Sequence, residues 1–132
     1  MSDIKEAAKL LEMARKDLQA MKALASPDVA GIETFGFHAQ QAVEKSLKAW
    51  LAIQNVLYPR IHDLDRLLDL LREEGAKVPL EFDTFGALTD FGVAFRYEAY
   101  DEPAEPFDRT QIIQQVERLI EHITQVLPKR SS

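Results

Sequence analysis

Between one proline or glycine and the next, the apolar residues of this chain return every three or four positions and never settle into sustained alternation. That period belongs to one face of an α-helix, whereas a half-buried strand would alternate. The fold class that follows is all-α. At 132 residues the chain has the size of one domain, and a globule of that size removes roughly two thirds of its unfolded surface from water. The expected architecture is an up-and-down bundle of four to five helices with short connections.

The breakers divide the chain. Ser2 or Asp3 can cap a first helix whose stripe is Ile4, Ala7, Leu11, Ala14, Leu18, Met21 and Ala25, ending at Ser26-Pro27. A second helix begins between Pro27 and Thr34 and runs to about Val56, because Tyr58-Pro59 cannot continue it. A third follows His62-Asp63 with Leu64, Leu67, Leu68 and Leu71 on one face, and Gly75 suits its left-handed C-terminal residue. Pro79 opens a fourth, with Phe82, Phe85, Leu88, Phe91 and Phe95 inward; Gly86 and Gly92 weaken it or let another helix come close.

From Arg96 to Phe107 the acids and the prolines Pro103 and Pro106 read as a loop. Asp108 with Gln111 then makes a capping-box-like start for the last helix, whose stripe is Ile112, Ile113, Val116, Leu119, Ile120, Ile123 and Leu127. Residues 1–128 form one domain and 129–132 a disordered tail in this reading.

Bulk chemistry removes several functions. With 46% hydrophobic and 29% charged residues the chain can fold. Without cysteine it has neither disulfides nor thiolate metal sites. A net charge of −6 argues against non-specific coating of nucleic acid, which depends on neutralising phosphates with Lys and Arg. The N-terminus lacks a basic segment followed by an apolar one, and no apolar run approaches the roughly 20 residues of a membrane span. A cytoplasmic location, with no membrane contact, is the expectation.

The stretch FHAQQAVEKSLKAWL, residues 37–51, carries the most information. Ala39, Ala42, Val43, Ser46, Leu47, Ala49, Trp50 and Ile53 share one broad half of the second helix. His38, Gln41, Lys45 and Lys48, spaced three, four and three apart, fall in a narrow arc on the other half, with Glu44 beside them. Such a stripe is either a solvated face, with a Gln41 to Lys45 contact and a Glu44 to Lys48 ion pair, or a row of ammonium and amide donors suited to phosphate.

These fifteen residues, with His-Asp-Leu at 62–64 and Arg-Tyr at 96–97, resemble the HEPN domain over roughly residues 5–127. The resemblance implies a helical bundle, usually a homodimer, that binds nucleotide or RNA and pairs with a minimal nucleotidyltransferase in toxin-antitoxin-like systems. Gln41, Lys45, Lys48, Arg96 and Tyr97 are the residues expected to bind nucleotide or phosphate. Many HEPN proteins also resemble metal-independent ribonucleases, which use an Arg and a His with four to six residues between them. Here Arg96 is followed at the matching positions by Asp101, Glu102 and Pro103, so the motif is incomplete and argues against an enzyme of the usual kind.

Arg96 and His38 remain the catalytic candidates. His62 reads as a capping or loop residue, and His122 as a surface residue with Gln111, Gln115, Arg118 and Gln125. Tyr97 and Tyr100 either pack on the bundle end or meet a base. No metal-binding spacing and no cofactor motif occurs. The competing functions are a ribonuclease toxin with a displaced base and a helical adaptor without a ligand.

Overall fold

The computed structural model of the chain describes residues 2–92 and 107–128. The expectations placed on Phe95, Arg96, Tyr97 and Tyr100, on the segment through Pro103 and Pro106, and on the tail 129–132 lie outside the described residues. So do the side chains of Ser2 and Asp3. The elements in order are α1 (Ser2–Ala23), α2 (Ile32–Ile53), α3 (Leu64–Glu73), a 3-10 helix (Leu80–Gly92) and α4 (Arg109–Val126). The all-helical bundle expected from the periodicity is the observed fold.

Helix α2 is its axis. It packs against α1, α3, α4 and the 3-10 helix alike, and every residue from 32 to 53 is buried or half-buried. The reason lies in its composition: alanines and a serine at 39, 42, 46, 49 and 52 let neighbours approach closely, while Phe35, Val43, Leu47, Trp50 and Leu51 fill the spaces between them. Burying one of these larger side chains is worth about 1.5–3 kcal/mol. Helix α1 contributes Ala7, Leu11, Ala14, Leu18 and Met21 to the same core, and α4 contributes Ile112, Val116, Leu119, Ile120 and Ile123.

The caps follow their chemistry. The Asp63 carboxylate accepts from the backbone N–H of Asp65 at 3.0 Å and of Arg66 at 3.3 Å, opening α3. Gly75 closes that helix at φ 90°, where other residues would be strained. Asp108 accepts from the Gln111 N–H at 3.1 Å and opens α4.

Leu80–Gly92 is a 3-10 helix of 13 residues, although such runs seldom exceed three or four. Phe82, Phe85, Leu88 and Phe91 stand three apart, so in a helix of three residues per turn they form one row. The first three are fully buried, and the rings of Phe82 and Phe85 stack with centroids 5.5 Å apart. The row against the core keeps the tighter winding in place. Thr89 Oγ1 also accepts from the Leu64 N–H at 3.2 Å, tying this helix to the start of α3.

Two glycines mark close approaches. The Asp65 carboxylate of α3 fills the space a Cβ at Gly86 would need. At Gly36 the contact is tighter in consequence, because the Phe91 ring lies against the α2 backbone and a Cβ there would stand 2.5 Å from Phe91 Cδ1. In an ordinary helix interior Gly→Ala stabilises by about 1 kcal/mol. Gly36→Ala should instead destabilise by about 2 kcal/mol, since overpacking outweighs propensity. In a Phe91→Ala background the same change should turn stabilising, and urea unfolding of the four variants measures the sign reversal.

Two expectations on α4 are corrected. Gln115 is buried, and its side-chain oxygen accepts from Thr84 Oγ1 at 3.3 Å. His122 is half-buried, its ring 4.9 Å from that of Trp50 and 6.3 Å from that of Phe82. The wide rings of Trp50 and Phe82 extend the core past the aliphatic stripe and cover the residues bordering it.

Candidate functional site

The polar stripe of α2 lies where α1 and the α2 to α3 connection flank the helix. It is not a solvated face. Asp17, on α1, meets it from one side: Oδ1 lies 3.1 Å from His38 Nδ1, and Oδ2 accepts from Lys45 Nζ at 2.8 Å. Glu44, on α2 itself, repeats the arrangement: Oε1 lies 2.9 Å from His62 Nδ1, and Oε2 accepts from Lys48 Nζ at 2.9 Å. Each carboxylate therefore holds one imidazole and one ammonium group.

An amide chain reaches the second of these sets. Gln41 Nε2 donates to Gln40 Oε1 at 2.9 Å, and Gln40 Nε2 donates to Glu44 Oε1 at 2.8 Å and to the His62 carbonyl at 3.3 Å. The expected Gln41 to Lys45 contact is replaced by these bonds, whereas the Glu44 to Lys48 pair is present. Beyond Lys48, its ammonium group lies 5.6 Å from the centre of the Tyr58 ring, and the Tyr58 hydroxyl donates to Glu6 Oε1 on α1 at 2.6 Å.

The electrostatics follow. Burial alone would raise the Glu44 carboxyl, whose side chain is only 8% exposed, but hydrogen bonds from Gln40, His62 and Lys48 and the charge of Lys48 hold it below the ordinary range. Tyr58 is pushed up to about 12 by partial burial and by its bond to the Glu6 carboxylate. Both groups keep one charge state near neutral pH. An ionised carboxylate only accepts hydrogen bonds, so each histidine carries its proton on Nδ1 when neutral and presents a basic Nε2 on the opposite side of the ring.

The structure thus brings His38, Gln41, Lys45 and Lys48 into one seam. The lysines in it are compensated: Lys45 is 22% and Lys48 12% exposed, each against a carboxylate oxygen. His62 also belongs here and not to the helix cap, which Asp63 provides. Its side chain is 58% exposed over the buried Glu44. Arg96 and Tyr97, the other expected binding residues, lie outside the described residues.

Sequence reasoning passed over Asp17 and Gln40. A signal for Asp17 existed, since Leu10, Asp17 and Leu24 stand seven apart along one border of the α1 stripe and all three are half-buried. The polar member of such a border needs a partner on the neighbouring helix.

In a comparison against protein families, the model of the HEPN domain matches residues 7–127. The chain belongs to the HEPN family. No curated protein and no solved structure matched it in the parallel comparisons. The matched span contains every residue of the seam except Glu6, so the seam lies within the HEPN domain. No helix among the described residues is long and apolar enough to cross a membrane.

The HEPN seam can do two things chemically. Its ammonium and amide groups can donate to phosphate oxygens where a ligand competes with the carboxylates. Its imidazoles, oriented through Nδ1, can exchange a proton at Nε2.

Proposed function

We propose that this HEPN domain works as a homodimeric subunit that binds nucleotide or RNA and pairs with a minimal nucleotidyltransferase in a toxin-antitoxin-like module. The observation that carries the reading is the gathering of His38, Gln41, Lys45 and Lys48 along one half-buried seam of α2 in a chain whose net charge is −6. In a protein of that charge a phosphate-bearing ligand needs a local concentration of donors. Gln41, Lys45 and Lys48 supply them, with Arg96 and Tyr97 as the further contacts we assign. The homodimer and the nucleotidyltransferase partner come from the family's habits.

A second reading has its own observation behind it. The contact between Asp17 and His38 engages Nδ1 and leaves Nε2 for proton transfer, as a general base requires, so a metal-independent ribonuclease would use His38 as base and Arg96 to hold the scissile phosphate.

One experiment separates the two. A labelled single-stranded RNA is titrated with the protein, alone and with the product of a neighbouring nucleotidyltransferase gene, and the RNA is then sized. Binding that leaves the RNA intact, and that weakens at least tenfold when Lys45 and Lys48 are replaced by Glu, supports the binding subunit. Shortened RNA that depends on His38 supports the ribonuclease. Absence of both binding and cleavage would remove both.

A further inference from the structure

The two carboxylate sets share a charge arithmetic. Asp17 cancels Lys45, and Glu44 cancels Lys48, so with both histidines neutral each set has no net charge. Each imidazole bonds through Nδ1 to the carboxylate that holds the lysine. A proton added at Nε2 therefore leaves that contact in place and strengthens it, while changing each set from neutral to singly positive. We infer that His38 and His62 act as the charge switch of the seam, raising its affinity for a phosphate-bearing ligand as pH falls.

This inference rests on the binding function proposed above and concerns its regulation. Histidine is the side chain whose charge ordinarily changes between about pH 5 and 8. Among the described residues the titratable neighbours are these. His38 meets Asp17 from α1 and shares that carboxylate with Lys45 of α2. His62 meets Glu44, which also holds Lys48, both from α2. Lys48 stands over the ring of Tyr58 in the connection, whose hydroxyl holds Glu6 of α1, and beside His62 in sequence stands Asp63, which caps α3. Lysines retain their charge across this window, so among the described residues the two imidazoles are the groups placed to alter the balance at the seam.

Geometry favours an effect on binding over one on folding alone. His38 and His62 are the more exposed members of their sets, at 31% and 58%, while the carboxylates beneath them are 13% and 8% exposed. A ligand approaching from solvent meets the switching charges first. On a chain of net charge −6, two positive charges gained within a few ångströms of a phosphate are worth on the order of tenfold in affinity at low salt, and less as salt screens them.

The test uses the whole chain and a labelled single-stranded RNA oligonucleotide at constant low ionic strength, between about pH 5.5 and 8. The wild type should bind about tenfold more tightly at the acid end. The double variant His38→Asn, His62→Asn keeps an amide N–H to face each carboxylate, and its affinity should change less than about twofold over the same range. A pH slope that survives in the double variant, or a wild type that binds equally at every pH, overturns the inference while leaving the binding function standing. A wild type that binds at no pH removes both.

Proton NMR supplies a measurement on the unmutated protein, because the chain has only 3 histidines. Adding the RNA should move the titration midpoints of two of them upward, as linkage demands if binding favours the charged form. Unmoved midpoints under saturating RNA would count against the switch even if the double variant failed to fold.

Discussion

Replacing Arg109 by methionine is expected to destabilise the domain by about 3 kcal/mol, a large effect for a residue at the first position of a surface-patterned helix. Arg109 is 5% exposed. Its Nη1 donates to the carbonyls of Leu24 at 2.9 Å, Ser26 at 3.4 Å and Ala30 at 2.9 Å, and its guanidinium carbon stands 5.2 Å from the centre of the Phe35 ring. One side chain thus gathers three carbonyls of the connection between α1 and α2 and fastens them to the start of α4. Methionine restores much of the volume and none of the donors, so three part-buried carbonyl bonds lose their donor.

Lysine at 109 should recover only part of the loss, because a single ammonium group lacks the planar fork of the guanidinium and its stacking on Phe35. Urea unfolding gives the cost. Limited proteolysis locates it: cleavage should rise first between residues 24 and 31. A methionine variant as stable as the parent would mean that water satisfies those carbonyls unaided.

The second large effect is expected at Glu44. Glu44→Ala should destabilise by about 3–5 kcal/mol, the range for breaking a buried charge pair from one side. The alanine would leave Lys48 without its counter-charge, Gln40 without an acceptor for one of its protons, and His62 without its carboxylate. Glu44→Gln should cost less, since the amide oxygen still accepts, and it should change how the protein responds to acid.

The sign follows from the direction of the shift. The carboxyl sits below its ordinary 4.5 when folded, so the unfolded chain takes up that proton first. Its contribution is complete above that ordinary value and is lost as pH falls through the lower folded-state value. Chemical denaturation at a series of pH values should show a steeper acid loss in the wild type than in Glu44→Gln. Parallel curves would mean that Glu44 has the same proton affinity folded and unfolded.

Much of the fold is legible locally. Asp63 and Gly75 bound α3, and Asp108 with Gln111 opens α4, because capping is settled within a few residues of the helix end. The stripes of α1 and α4 follow from the helical period alone. Winding at Leu80–Gly92 is harder to read, since apolar residues exactly one 3-10 turn apart also satisfy a loose α-helical pattern, and the choice rests on how the row meets the core.

The seam is only half legible. His38, Gln41, Lys45 and Lys48 declare themselves as an arc of one helix, but what they touch does not. Asp17 is 21 residues from His38 and 28 from Lys45, and only the pairing of α1 with α2 brings it there. Gln40 and Glu44 sit on the border of the apolar half, so period alone leaves them on either side. Arg109 has the same difficulty, for nothing near it in sequence indicates that a loop some eighty positions earlier will close around its guanidinium group.

Helix α2 has no fully exposed position, and this leaves it with little of the tolerance that most helices keep on an outer side. A change at most of its residues alters packing in the hydrocarbon interior or a bond in the charged seam. Variation among relatives that keep this packing must then gather in α1, α4 and the connections, while the central rod changes chiefly in step with the neighbour it touches.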